Sequence, residues 1–282
     1  MQSMPNIRSA RPASYCSTLI ETFFVSANGT ITSCGHGTAF FYREEGRELL
    51  VTNWHVVTGR HPEKPEKTLP YYKSSPSHYK LHLPLKSNPN DFLPAELVPL
   101  YNDGRPIWIE HELGSGEVDL VAIPFFPAPD AHYYTANHFQ LETESHLEPG
   151  IDVVIIGFPF GRNRTNPFPI WKKAMIASEP AHTWDGKPFG YLDTPGRSGM
   201  SGSPVYFISP DLVPPHAWDG SADILEWMPS AERTTSLEFV GVYSGSYGDQ
   251  DFERLNLGRY WPKHLLEGIT KTGNPGRNPF FP

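Results

Sequence analysis

The chain has 282 residues, enough for one large domain or two compact ones with a real core. Its 23 Lys and Arg against 31 Asp and Glu leave a formal net charge of −8, which excludes a surface built for nucleic-acid phosphates or anionic membranes. Gly 24 and Pro 30 together make about a fifth of the chain, below the roughly 25–30% of disordered segments; with 13% aromatics, the excess of Pro excludes a helical bundle and favours many short strands.

Cys16 and Cys34, the two cysteines, cannot build a disulfide framework or, by themselves, a structural zinc site. Residues 1–9 show no apolar stretch behind an Arg, so no secretory leader is visible and a cytoplasmic location is expected. The longest apolar run, residues 153–160, is far short of the ~20 residues of a membrane helix. No nucleic-acid or membrane partner is expected.

In chain order, residues 1–16 read as a polar arm. Residues 19–25 are rich in β-formers and end at the Asn28-Gly29 turn. Residues 37–43 and 48–53 flank Glu44-Glu45-Gly46, a hairpin loop. Residues 59–90 are polar with little periodicity and read mostly as surface loop. Residues 106–110 and 119–124 are two further strands, and a connector at about 127–150 precedes a second strand group. That group comprises residues 151–157, 170–176, 190–193, 203–208 and 237–243, with an insertion at 209–235 in which 222–228 reads as one or two helical turns. Pro262 suits a first helical position, and Leu265, Leu266 and Ile269 share one helical face. Residues 271–282 carry no structure signal. Two groups of about half a dozen strands predict an all-β chain, as two small barrels or one sandwich.

Chemistry concentrates at Ser-Gly-Met-Ser-Gly-Ser-Pro-Val, residues 198–205. A serine among glycines allows backbone N–H groups to face a reacting oxygen from one side. By composition alone the segment reads by default as a Gly/Ser turn between strands. It is joined by Leu-Val-Thr-Asn-Trp-His-Val-Val, with His55 at the end of an apolar strand, and by Glu-Val-Asp-Leu-Val-Ala-Ile, with Asp119 at the head of another. The order His55, Asp119, Ser201 is that of a nucleophile with its base and orienter.

With these three motifs the chain resembles a chymotrypsin-fold (trypsin-like) serine peptidase over about residues 19–270. Ser-Gly-Ser-Pro-Val with Thr-Asn-Trp-His-Val-Val is more similar to the bacterial glutamyl-endopeptidase-like branch than to the digestive enzymes. The resemblance implies two six-stranded antiparallel β-barrels, about 17–126 and 150–270, a short C-terminal helix, and a 271–282 tail. It implies an endopeptidase acting on proteins or peptides through an acyl-enzyme. Ser201 is then the nucleophile, His55 its base and acid, and Asp119 the orienter, with Gly199 and Ser201 N–H as the oxyanion hole. Residues 241–246 resemble the strand that pairs with substrate, and Ser244 falls where the family often has a serine supporting the aspartate. A non-catalytic peptide-binding module on the same fold is the alternative, and esterase chemistry a weaker one.

The chain departs from the digestive pattern in three places. Val56 follows His55, so the disulfide bracing the histidine loop is missing, and both cysteines are expected as free thiols. Met200 replaces the aspartate that pairs with a released amino terminus, so the oxyanion loop must be held by packing and hydrogen bonds; the 209–235 insertion or a regulatory protein partner are further candidates for support. The specificity pocket implied by the resemblance involves Pro195, Gly196, Tyr243, Ser244 and Ser246. Pro195 stands where trypsin carries its acid, and Tyr243 where glutamate-specific relatives carry a histidine. A small or medium uncharged side chain before the cut is therefore expected, with Asp193 nearby and Arg197 and Arg259 expected to point to solvent. The 157–161 turn is assigned to packing. No cofactor or metal is expected: His111-Glu-Leu-Gly-Ser lacks a second zinc histidine, and Asp249, Asp251 and Glu253 lie outside any calcium-loop pattern.

Overall fold

The computed structural model describes residues 11–70, 72–139, 147–161, 168–208, 237–247, 251, 254–278 and 280. The chain opens with a 3-10 turn, Pro12–Tyr15, whose Ala13, Ser14 and Tyr15 are buried. The described end of the segment read as an arm is therefore packed, with Trp171 Nε1 donating to Ser14 Oγ at 3.0 Å.

Strands β1 (Ser17–Val25), β2 (Ile31–Glu44) and β3 (Arg47–Thr52) form a meander. Its second turn places Glu45 (φ 49°) and Gly46 (φ 76°) in the left-handed region, which a two-residue hairpin loop demands. A five-residue helix, α1 (Trp54–Thr58), follows and ends at Gly59. His55 therefore lies in a helical turn just past the strand.

The segment read as loop carries a hairpin, β4 (Arg60–His61) with β5 (Lys64–Thr68), and β6 (His78–Leu81). The rest of the first half is short: β7 (Val98–Pro99), β8 (Tyr101–Asn102), β9 (Arg105–Pro106), β10 (Ile109–Glu110) and β11 (Val121–Pro124).

The second half contains β12 (Asp152–Gly157), β13 (Ile170–Ile176), β14 (Gly190–Asp193), β15 (Pro204–Ile208), β16 (Leu237–Gly245) and β17 (Leu257–Pro262). They close a barrel in the order β12-β13-β14-β17-β16-β15. Helix α2 (Lys263–Thr272) buries Leu265, Leu266 and Ile269 on one face, with Pro262 as its N-cap. The 209–235 insertion, with its expected helical turns, lies outside the described residues.

The first half corrects the expectation of a second closed six-stranded barrel. It is an open eight-stranded sheet, β18-β10-β11-β3-β2-β1-β6-β7, where β18 is Asn274–Pro275. Both edge strands are two residues long and end in Pro99 and Pro275, which have no N–H to donate to a closing ladder. The tail read as unstructured thus supplies an edge strand. It is tied further by Gly276 N to Trp108 O (2.9 Å), Trp54 Nε1 to Arg277 O (3.2 Å) and Asn278 Nδ2 to Tyr101 Oη (2.8 Å).

One apolar cluster joins the halves: Phe40, Tyr42 and Ala122 from the open sheet meet Ile156, Phe239 and Val242 from the barrel, with Leu266 and Ile269 of α2. Burying each large side chain contributes about 1.5–3 kcal/mol. This shared core fixes the loops of both halves around one cleft.

Candidate active site

Asp119 sits just before β11 and is 1% exposed. Its Oδ1 accepts the backbone N–H of His55 at 2.9 Å, and its Oδ2 meets His55 Nδ1 at 2.6 Å. A carboxylate only accepts, so the ring proton lies on Nδ1 and Nε2 is free to act as a base. Asn53 Nδ2 donates to Asp119 O at 2.8 Å, fixing the loop that carries the carboxylate against the start of α1.

Ser201 lies in a cleft of about 720 Å³ lined also by His55, Gly199, Gly196, Ser246 and Tyr247. Its loop is held from three sides. Thr38 of β2 donates through Oγ1 to Gly199 O (2.8 Å), accepts Phe158 N (3.0 Å), and donates its own N–H to Ser201 O (2.8 Å). Phe160 N donates to Ser198 O at 2.6 Å, and Gly202 N to Tyr243 O at 2.8 Å. Met200 is 1% exposed in the barrel core, so the loop is held by packing and hydrogen bonds as its uncharged side chain required. The 157–161 turn does more than pack, because it latches this loop.

Gly199 has φ +90°, and a Cβ there would lie 2.4 Å from Phe158 O. Only glycine fits. Among the described residues, the N–H groups of Gly199 and Ser201 have no acceptor, and both residues line the cleft. Ser201 Oγ donates to Ser244 O at 3.2 Å; among the described residues it has no hydrogen bond to His55.

Pro195, Gly196, Ser244 and Ser246 line the cleft. Tyr243 does not. It is 1% exposed behind the wall, with its hydroxyl unpartnered among the described residues. Gly258 makes room for its ring, since a Cβ there would lie 2.4 Å from Tyr243 Cε2. Burial raises the Tyr243 phenol well above its ordinary pKa, so it stays neutral. Lys172 Nζ reaches Thr194 Oγ1 nearby; burial and then Arg197 lower its pKa to about 8, against the pull of Asp193.

Arg197 is exposed but also lines the cleft. Arg259 is a correction: it is 6% exposed and pairs with Glu63 at 3.1 Å, which also meets Lys187 at 3.2 Å. The hairpin carrying Glu63 gave no sequence cue, so its burial of an arginine was not visible. Ser244 Oγ does not support Asp119 directly. It bonds Tyr247 Oη (3.2 Å), which reaches Asp119 Oδ2 (2.8 Å). Tyr247 was missed because Ser-Gly-Ser-Tyr reads only as the end of a strand.

Cys16 and Cys34 are free thiols, and burial pushes the Cys16 thiol up to about 12. Among the described residues, no group of three or more His, Cys, Asp or Glu is placed to hold a metal ion. No described helix is long and apolar enough to cross a membrane.

The open sheet and closed barrel with a shared cleft define a chymotrypsin-like arrangement. A family model for the trypsin-like peptidase domain matches residues 37–207. The chain belongs to that family, whose members are serine peptidases acting on proteins or peptides. No curated protein matches it.

Proposed function

We propose that the protein is a serine endopeptidase in which Ser201 attacks the scissile carbonyl, His55 carries its proton, and Asp119 orients His55. The observation that carries this reading is the 2.6 Å contact of His55 Nδ1 with Asp119 Oδ2, with His55 and Ser201 lining one cleft. His55 Nε2 takes the Ser201 proton as Oγ bonds to the carbonyl carbon, then returns it to the leaving amine. The N–H groups of Gly199 and Ser201 stabilise the oxyanion, where each donor contributes about 3–4 kcal/mol.

Substrate backbone pairs along Ser244 to Ser246, and Pro195 and Gly196 form the opposite wall of the specificity pocket. A substrate N–H at Ser244 O replaces the hydrogen bond that Ser201 Oγ makes there, releasing Oγ to His55. The wall is uncharged at Pro195 and closed behind by Tyr243, which favours small or medium uncharged side chains. Such shape selection is graded, at about 1–3 kcal/mol per methylene.

The Ser201–Ser244 hydrogen bond also favours a second reading, a peptide-binding module without turnover. A fluorophosphonate probe separates the two. Labelling of the wild type that is lost in Ser201→Ala supports the peptidase; peptide binding with no labelling supports the module.

A further inference from the structure

Tyr247 is not among the three residues that the sequence motifs single out, yet its hydroxyl enters their hydrogen-bond network. It sits past the end of β16 with φ +55°, in the left-handed region an aromatic residue rarely adopts. That turn sends the side chain back across the cleft wall toward the open sheet. Its hydroxyl lies 2.8 Å from Asp119 Oδ2 and 3.2 Å from Ser244 Oγ.

The proton positions follow from chemistry. Asp119 as a carboxylate has nothing to donate, so the single phenolic hydrogen goes to Oδ2. Ser244 then donates to Tyr247 Oη. The chain runs Ser244 to Tyr247 to Asp119, and Oδ2 accepts from Tyr247 and His55 together. Burial and then the Asp119 charge raise the phenol well above its ordinary pKa, so it remains a donor.

The ring is fixed on each side. His55 meets it edge-on at 5.4 Å, and His61 of β4 lies at 5.6 Å. The Arg259 guanidinium of β17 stacks 4.9 Å from its centroid, itself held by Glu63. Residues from both halves thus hold one phenol against the carboxylate.

We infer that Tyr247 is a positioning residue for the His55–Asp119 pair: its hydroxyl locks the Asp119 carboxylate in the orientation that His55 uses. This rests on the peptidase reading for its effect on rate, but the contact itself stands apart from turnover. A residue that only packed would be replaced without loss by phenylalanine.

The experiment compares wild type, Tyr247→Phe and Tyr247→Leu by two readouts. In peptide hydrolysis, Tyr247→Phe is expected to lower kcat by about three- to tenfold, the effect of one hydrogen bond, with KM within twofold. In proton NMR of the uncomplexed protein, the downfield His55 Nδ1 proton is expected to shift in Tyr247→Phe. Tyr247→Leu removes ring and hydroxyl together and is expected to raise KM as well. An unchanged resonance and wild-type kcat in Tyr247→Phe, with only Tyr247→Leu impaired, overturns the inference. A shifted resonance in a protein with no hydrolysis and no labelling at Ser201 supports the contact and overturns the peptidase reading instead.

Discussion

The second half of the molecule closes on itself where β12 pairs with β15, whereas the first half ends at two proline-bearing edges. The closed barrel brings the backbone of Gly199 and Ser201 to the cleft, their loop tied by Phe160 N on Ser198 O and by Gly202 N on Tyr243 O. The open sheet presents side chains, His55 and Asp119, held by contacts from distant parts of the chain. Asn53 fixes the Asp119 loop, Tyr247 of the other half touches Oδ2, and Arg277 of the tail holds Trp54 beside His55. The barrel loop is tied mostly within its own half, with Thr38 of β2 as its anchor from the open sheet; the charged pair of the open sheet draws ties from its own half, the barrel and the tail.

Breaking the open-sheet side has the largest expected effect. Asp119→Asn places a donor where His55 and Tyr247 both donate, which reverses the imidazole tautomer. A fall in kcat of about 10⁴-fold is expected, the scale of that substitution in the serine-protease triad. A variant within tenfold of wild type would show that the pair does not orient the base.

Breaking the barrel side comes next. Gly199→Ala drives a Cβ into Phe158 O at 2.4 Å, at a φ of +90°, and must turn the Gly199 N–H away. The expected loss in kcat is at least about 10²–10³-fold, with a lowered melting temperature as well, because the clash is with backbone at a left-handed φ. An equal loss in KM with kcat unchanged would place the effect in substrate binding.

The smallest effect sharpens the contrast at the open edge. Glu110 of β10 is 3% exposed beside the tail, with one carboxyl oxygen unpartnered among the described residues. Burial, opposed by the Arg277 N–H and charge, raises its pKa to about 7. A carboxyl raised in the folded state is tolerated while protonated, so its contribution is intact below about pH 4 and lost as pH rises toward 7. Glu110→Gln should therefore match wild type at pH 4 and be more stable at pH 8, by at most about 3 kcal/mol. Urea unfolding at both pH values measures this; an equal difference at both would contradict it.

Sequence reading was strongest where structure is local. The strands of the second half, the 45–46 hairpin and the Leu265, Leu266 and Ile269 face all follow from alternation, turn residues or helical spacing. The ordered His55, Asp119 and Ser201 motifs were legible because each has its own flanking pattern. What was hidden depends on long-range pairing. Asn274–Pro275 joins Ile109–Glu110 with no local signal in either, so the open sheet was read as a closed barrel and the edge strand as a tail. Arg259 is buried only because Glu63 arrives from a hairpin in a polar stretch, and Tyr247 reaches Asp119 only because its backbone turns left-handed.

The most direct test is the site of a covalent adduct. Folded wild-type protein is incubated with a fluorophosphonate, and the modified residue is mapped by mass spectrometry. One adduct is expected, on Ser201, absent from Ser201→Ala and formed far more slowly in His55→Ala. No adduct on the folded wild type, or one that persists in Ser201→Ala at the wild-type rate, would contradict it.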